Sequence, residues 1–320
     1  MPEHDKFTLV KYSVVIPIYN EEDTLPELYK RLEAVMSGLK DTYELIFVND
    51  GSRDRSEETL KSYAAQNRSI KIISLSRNFG LQPAYSAGIN HASGDMVIPM
   101  DGDLQDPPEL IPKMIDKMRE GYDVVYAVKI KRQENIFKRF AFSAFYRILR
   151  RAANVDMPLD AGSFSIMNRK VVDIFKMLPE KNRLVSGIRA WVGFRQIGFP
   201  FERDARFHGK PRQTFFRLMR MATDGLFSFS SVPIQAATVL GLIASGLSLL
   251  IIIVVVILKL FTDIIPVLGW ASLIVTVVFF GGIQLVFIGI LGEYICRIFD
   301  EVRGRPHYLV KDKVGFDDAR

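Results

Sequence analysis

Residues 13–39 read SVVIPIYNEEDTLPELYKRLEAVMSGL, and the hydrophobic period changes part-way along them. Ser13–Tyr19 is a short β-rich run. From Leu25 onward the apolar residues Leu25, Leu28, Leu32, Val35, Met36 and Leu39 recur at helical spacing, behind Asp23 or Thr24 as the N-cap. The same exchange of periods repeats downstream. Glu44–Asn49, Ile70–Leu75, Met96–Met100 and Asp123–Val128 read as strands, and Glu57–Gln66, Gln82–His91 and Pro108–Glu120 as helices. Gly162–Met167 is a further strand-like run. Strand–helix–strand alternation predicts an α/β layer with a mostly parallel sheet. Right-handed crossovers then bring the strand C-termini to one edge, where open α/β sheets bind ligands.

Three polar clusters fall at those strand ends: Asn20-Glu21-Glu22, Asp50-Gly51-Ser52 and Asp101-Gly102-Asp103-Leu104-Gln105. One acidic turn after a strand is ordinary, since Asp and Gly form turns. Three on one edge point to a site. Asp101 and Asp103 flank a glycine, so their carboxylates can converge on a hard cation, Mg²⁺ or Mn²⁺, which is commonly held by one or two carboxylates plus substrate phosphates. Gln105 adds a neutral oxygen, and Asp50 suits a ribose hydroxyl or a base N–H. The chain has no Gly-x-Gly-x-x-Gly after its first strand and no Gly-Lys-Ser/Thr, which argues against a dinucleotide dehydrogenase and a P-loop NTPase.

Of 320 residues, 42 are basic and 36 acidic, a net charge of +6, and the whole excess lies before residue 231. One cysteine, Cys296, excludes a disulfide framework and a cysteine-based zinc site, and the histidines at 4, 91, 208 and 307 have no metal-ligand spacing. No charged residue occurs from Gly225 to Leu258, 34 positions, or from Ile264 to Gly292, 29 positions. Both runs exceed the ~20 apolar residues that span a bilayer as a helix. Arg212, Arg217 and Arg220 precede the first run, and Arg297, Arg303, Arg305, Lys311 and Lys313 follow the second. The positive-inside rule puts both flanks in the cytoplasm. The expected layout is therefore a cytoplasmic α/β domain over 1–211, an interfacial amphipathic helix over 212–231, and membrane spans over 232–258 and 271–292. A short external loop over 259–270 joins the spans, and 293–320 forms a cytoplasmic tail. Gly281-Gly282 and Gly289 or Gly292 permit close helix approach, hence a possible homo-oligomer.

Val14-Val15-Ile16-Pro17-Ile18-Tyr19-Asn20-Glu21-Glu22, Val48-Asn49-Asp50-Gly51-Ser52 and Asp101-Gly102-Asp103-Leu104-Gln105-Asp106-Pro107-Pro108-Glu109 resemble the signature runs of family 2 glycosyltransferases with a GT-A fold. More narrowly, the chain resembles polyprenyl-phosphate glycosyltransferases, a group that includes bactoprenol glucosyltransferases and dolichol-phosphate mannose synthase. The likeness extends through both apolar runs to Gly292-Glu293-Tyr294-Ile295 and Gly304-Arg305-Pro306. It implies that Pro17, Tyr19, Glu22 and Asp50 hold the base and ribose of a sugar nucleotide. It also implies that Asp101 lies by the ribose or metal, and that Asp103 and Gln105 bind the divalent ion. Gly102 stands where the family often has alanine, a change that touches no ligand atom. The Gln-x-x-Arg-Trp run of processive polysaccharide synthases is absent; Trp191 lies in Arg189-Ala190-Trp191-Val192-Gly193.

Residues 129–151 hold eight basic groups, Arg132 among them, against Glu134, interleaved with aromatics. That composition suits anionic headgroups or phosphates at a membrane surface, and the apolar runs argue against nucleic acid. Arg206 and Lys210, around Phe207-His208-Gly209, are candidates for phosphate contact, against a loop whose cations face anionic lipid. Asp156 and Asp160 flank Met157-Pro158-Leu159; in related GT-A enzymes an acid here lies near the reacting carbon, and a turn built on Asp and Pro fits equally. The expected activity is an inverting transfer of a hexose, glucose from UDP-glucose, onto undecaprenyl phosphate at the cytoplasmic membrane face. GDP-mannose-dependent transfer and a non-catalytic sugar-nucleotide-binding scaffold are the alternatives.

Overall fold

The computed structural model describes residues 10–130, 161–178, 180, 183–202, 232–261 and 269–316. These fall into two compact units, one built on a sheet and the other on two long helices.

In the sheet unit the strands are β1 (Tyr12–Ile18), β2 (Tyr43–Asn49), β3 (Ile70–Leu75), β4 (Met96–Pro99), β5 (Val124–Ile130), β6 (Ala161–Asn168), β7 (Gln196–Glu202) and β8 (Val310–Val314). They lie in the order β7-β5-β6-β4-β1-β2-β3-β8. The β1–β2, β1–β4, β2–β3 and β5–β7 pairs are parallel, and β6 and β8 alone run the other way. The mostly parallel sheet expected from the sequence is present. After β3 the chain crosses to the far side of β1 and forms β4, so the order reverses between β1 and β4. Ligands of open α/β sheets bind at that reversal.

Helices α1 (Leu25–Gly38), α2 (Ser56–Gln66), α3 (Leu81–His91), α4 (Ile111–Arg119), α5 (Arg169–Met177) and α6 (Val185–Trp191) complete the unit. Every residue of β1 is buried, because both faces of the sheet are covered. Val14, Ile16 and Ile18 pack into one apolar cluster with Leu25, Leu28, Leu32 and Met36 of α1 and Met114 of α4. Val15 faces the other cluster, with Ala84 and Tyr85 of α3, Val172 of α5 and Ile188 of α6. Full burial of each large apolar side chain is worth about 1.5–3 kcal/mol.

The elements depart from the sequence expectation in instructive places. Thr24 is the N-cap of α1, but its hydroxyl donates to Glu21 Oε2 at 3.0 Å instead of capping the helix. The stretch expected as one helix over 108–120 begins as a 3₁₀ turn, Pro108–Leu110, since successive prolines remove the early N–H donors. The tail over 293–320 contains β8, which pairs antiparallel with β3.

In the helical unit, α7 (Val232–Phe261) has 30 residues and α8 (Trp270–Val302) has 33. Helix α8 continues past Gly292, and just beyond it Glu293 and Arg297 pair across one turn, Nη2 to Oε1 at 2.8 Å. The two helices run antiparallel, with Gly241 against the Phe287 ring. Leu242, Leu250, Leu285 and Val286 are 60–71 % exposed. Among the described residues one helical stretch, Thr276–Val302, is long and apolar enough to cross a bilayer, and Ala237–Ile251 is a shorter apolar helix. The interfacial helix expected over 212–231 and most of the loop over 259–270 lie outside the described residues.

Candidate active site

The turns after β1, β2, β3 and β4 meet at the C-terminal edge of the sheet, and backbone-to-side-chain bonds lace them together. Ser52 Oγ accepts from Asn20 N at 3.1 Å, and Asn20 Oδ1 accepts from Arg53 N at 2.8 Å. Ser56 Oγ accepts from Glu21 N at 3.0 Å, and Glu22 Oε2 accepts from Arg55 N at 2.9 Å. Asn20 holds φ 53°, a left-handed conformation that Asn tolerates. Pro17 sits within β1 without breaking it. The carbonyl two residues earlier, Val15 O, accepts from Met100 N at 3.0 Å, so that side of the strand faces β4. The β1–β4 pairing ends at Val15–Pro99, hence the N–H that proline lacks has no ladder partner to lose.

Asp50 is 3 % exposed, and both its oxygens receive backbone N–H groups: Oδ1 from Phe79 at 2.7 Å and Oδ2 from Gly80 at 2.9 Å. Burial raises its pKa, and the two N–H bonds and the Arg77 charge offset part of that rise. Asp50 therefore positions the loop between β3 and α3, a segment the sequence reading passed over. Arg77 lies over the Phe79 ring at 4.1 Å. Gly51 holds φ 67°, and a Cβ there would stand 2.5 Å from Arg77 C, so the two loops approach more closely than any side chain allows.

The acidic turn after β4 is buried at alternate residues. Gly102, Leu104 and Asp106 point inward, while Asp101, Asp103 and Gln105 are partly exposed. Leu104 holds φ 59°, and Asp103 Oδ1 accepts from Gln105 N at 3.1 Å. Asp101 Oδ1 accepts from the Tyr85 hydroxyl at 2.6 Å. Burial, then the Asp101 charge, push the Tyr85 pKa well up, so the phenol stays a donor. Asp106, 1 % exposed, pairs with Lys129 Nζ at 3.9 Å. Glu109 closes the motif by a bidentate grip on α1, with Arg31 Nε at 2.8 Å and Nη2 at 2.6 Å. A Cβ at Gly102 would lie 2.8 Å from Ile18 Cδ1 and 3.0 Å from Pro17 O, so alanine here presses on the wall of the site without meeting the acidic side chains.

The start of β6 shares this edge. Under it lies Arg189, 1 % exposed, whose Nη1 donates to Gly162 O at 3.2 Å and whose guanidinium covers the Tyr126 ring at 4.6 Å. Burial lowers its pKa to about 10. Sequence reading noted Arg189 only as part of a missing motif. Its signal, a lone arginine in the otherwise uncharged helix Val185–Trp191, is weak.

The structure thus brings Pro17, Tyr19, Glu22, Asp50, Asp101, Asp103 and Gln105 to one edge. Asp156, Asp160, Arg132, Arg206 and Lys210 lie outside the described residues. No group of three or more His, Cys, Asp or Glu capable of holding a metal stands among the described residues. Two carboxylates with substrate oxygens completing the shell fit a hard divalent cation, and a carboxylate accepts up to about four contacts, so existing hydrogen bonds do not exclude coordination.

A model described as glycosyl transferase family 2 matches residues 13–175, just over half of the chain. The chain belongs to glycosyltransferase family 2. This glycosyltransferase is 48% identical to an uncharacterized glycosyltransferase of Synechocystis, over 96% of this chain and 97% of that protein. It is 45% identical to the uncharacterized glycosyltransferase YkcC of Bacillus subtilis, over 97% of this chain and 96% of that one. The bactoprenol glucosyl transferase of Shigella phage SfII is 38% identical, over 94% of this chain and 98% of its own length.

Proposed function

We propose that this glycosyltransferase moves glucose from UDP-glucose onto undecaprenyl phosphate at the cytoplasmic face of the membrane. The observation that carries the reading is extent: relatives named bactoprenol glucosyl transferase align over 94–95% of this chain, and so include the helical unit as well as the sheet. A soluble glycosyltransferase has no use for two long helices whose apolar side chains face outward. We take α7 and α8 as a transmembrane hairpin with both chain ends in the cytoplasm.

In this reading Pro17, Tyr19, Glu22 and Asp50 form the base and ribose pocket. Asp103, with Asp101 and Gln105, holds Mg²⁺ or Mn²⁺, which supplies positive charge to the diphosphate as it leaves. An oxygen of the acceptor phosphate attacks the anomeric carbon, the bond from that carbon to the β-phosphate oxygen breaks, and UDP departs with the electron pair. One such displacement inverts the anomeric centre. A phosphomonoester has a second pKa near about 6, so the acceptor is already largely a dianion and needs no strong base. Asp156 or Asp160 orients groups near the reacting carbon, and Arg132, Arg206 and Lys210 meet phosphates.

The test is a donor panel on protein in detergent with undecaprenyl phosphate, Mg²⁺ or Mn²⁺, and labelled UDP-glucose, UDP-galactose, UDP-N-acetylglucosamine or GDP-mannose. Label entering the lipid phase from UDP-glucose, and lost with EDTA, is the expected result. Transfer from GDP-mannose alone replaces the donor, and nucleotide binding with no transfer from any donor overturns the acceptor assignment. Orientation is read from Cys296, the chain's one cysteine, exposed on α8. A membrane-impermeant maleimide should label it in inside-out vesicles and not in right-side-out ones.

A further inference from the structure

Tyr85 belongs to a helix of small residues, Ala84, Ser86, Ala87 and Gly88, and its ring is fully buried beneath the sheet. Its hydroxyl is the one part that reaches the site edge. There it stands 2.6 Å from Asp101 Oδ1, at the end of β4. A carboxylate accepts and a phenol at neutral pH donates, so the proton of this bond belongs to Tyr85. The hydrogen bond therefore has a fixed direction, from Tyr85 to Asp101, and ties α3 to the acidic turn.

From this geometry we infer that Tyr85 is a positioning residue for the metal–nucleotide site, its hydroxyl holding the Asp101 carboxylate in one rotamer. The inference rests on the donor-site reading above. An aspartate has two rotatable side-chain bonds, and a turn carrying Leu104 at φ 59° does not by itself fix them. The phenol does, and it is itself immobilised by complete burial of its ring. Ordering of the carboxylate is thus completed on folding and is not left to be done when metal and nucleotide arrive. The neighbouring Asp103 also accepts from Gln105 N, within the turn itself.

The test removes one oxygen. Tyr85→Phe keeps the ring in its place, and full-length protein in detergent is titrated with Mn²⁺ in the presence of UDP, then of GDP, with free Mn²⁺ read by its EPR signal. Nucleotide binding is measured separately in EDTA. A hydrogen bond to a charged group corresponds to roughly a ten- to hundredfold change. The expected result is Mn²⁺ binding at least about tenfold weaker, metal-free nucleotide binding unchanged, and transferase rate recovering as Mn²⁺ is raised. Tyr85→Met, which also lacks the hydroxyl, should weaken Mn²⁺ binding in the same direction and decides the matter if Tyr85→Phe does not fold. Equal Mn²⁺ affinity in Tyr85→Phe and wild type overturns the inference while leaving the donor site standing. So does weakening of metal-free nucleotide binding to the same extent, since that marks general distortion. Wild-type protein that binds no Mn²⁺ with either nucleotide overturns the donor-site reading itself.

Discussion

Glu44 and Asp50 mark the two ends of one strand, and both are buried acids, 1 % and 3 % exposed. Their surroundings differ in kind. Glu44 pairs with Lys71 Nζ at 2.5 Å and accepts from Ser13 Oγ at 2.5 Å, Ser93 N at 2.8 Å and Ser93 Oγ at 2.9 Å. Burial pushes its pKa up, but the Lys71, Ser13 and Ser93 contacts outweigh that and hold it below the usual carboxylate range. At Asp50, burial prevails over two backbone N–H bonds and the pKa is raised. The N-terminal end of the sheet has neutralised its own charge and is complete as structure. At the C-terminal end, the anion of Asp50 is held by backbone dipoles in a loop that a ligand can still complement.

The contrast predicts that substitutions at the two ends fail in different ways. The largest effect is expected at Asp103. Asp103→Asn keeps the side chain's shape but removes the charge assigned to the metal, so turnover should fall by about 10²–10³-fold. Its melting temperature in detergent should stay within about 2 °C of wild type, because the side chain is partly exposed. Near-normal turnover would remove Asp103 from the site.

Glu44→Ala should do the opposite. It strands Lys71, which is 20 % exposed, and leaves Ser13 without its acceptor, so the cost is about 2–4 kcal/mol, toward the low end for a buried pair. Turnover per folded molecule should not change. The pH dependence has a definite sign. A carboxylate whose folded-state pKa lies below its unfolded value stabilises the protein above that unfolded value, about 4.3 for glutamate. The stabilisation is lost as pH falls through the folded-state pKa. Wild-type melting temperature should therefore drop on acidification below about pH 5, and Glu44→Gln should show a shallower drop; parallel slopes would show that other acids govern the transition.

A smaller loss is expected at Asp50. Asp50→Asn retains one acceptor oxygen and turns an NH₂ toward a backbone N–H, leaving Phe79 or Gly80 unpaired. That costs about 1–3 kcal/mol in the loop. The donor KM should rise and the unfolding midpoint should fall by less than in Glu44→Ala, and an unchanged donor KM would confine Asp50 to a purely architectural role.

The same asymmetry explains what could be read from sequence. The parallel strands and α1 were legible because their apolar residues repeat with a fixed period and are nearly all buried. The acidic turns were legible because hard-cation chemistry requires that residue type at a strand end. Val310–Val314 was not, since Val-Lys-Asp-Lys-Val has the charge of a protected edge strand and its partner β3 lies over 200 residues away. Tyr85 was hidden for another reason: nothing local distinguishes a buried helical tyrosine from one whose hydroxyl crosses to a different strand end. Glu22 and Asp50 were read as nucleotide ligands, and both also hold a neighbouring loop, a use visible only once the loops are side by side.

The mildest test concerns Gly102, where the family resemblance implies that alanine touches no ligand atom. The added Cβ would lie 2.8 Å from Ile18 Cδ1, the far end of a flexible side chain, and 3.0 Å from Pro17 O, which cannot move independently of β1. If the isoleucine gives way, the cost of Gly102→Ala is about 1 kcal/mol, the low end for overpacking. If the backbone gives way instead, Pro17 shifts and the proposed base pocket shifts with it. Ile18→Val separates the two, because it deletes Cδ1 and leaves the carbonyl in place. Restoration of stability and donor KM in the Gly102→Ala, Ile18→Val double variant would locate the strain in the side chain. A donor KM that stays raised in the double variant would locate it at Pro17, and would mean that relatives carrying alanine here hold β1 in a slightly different position.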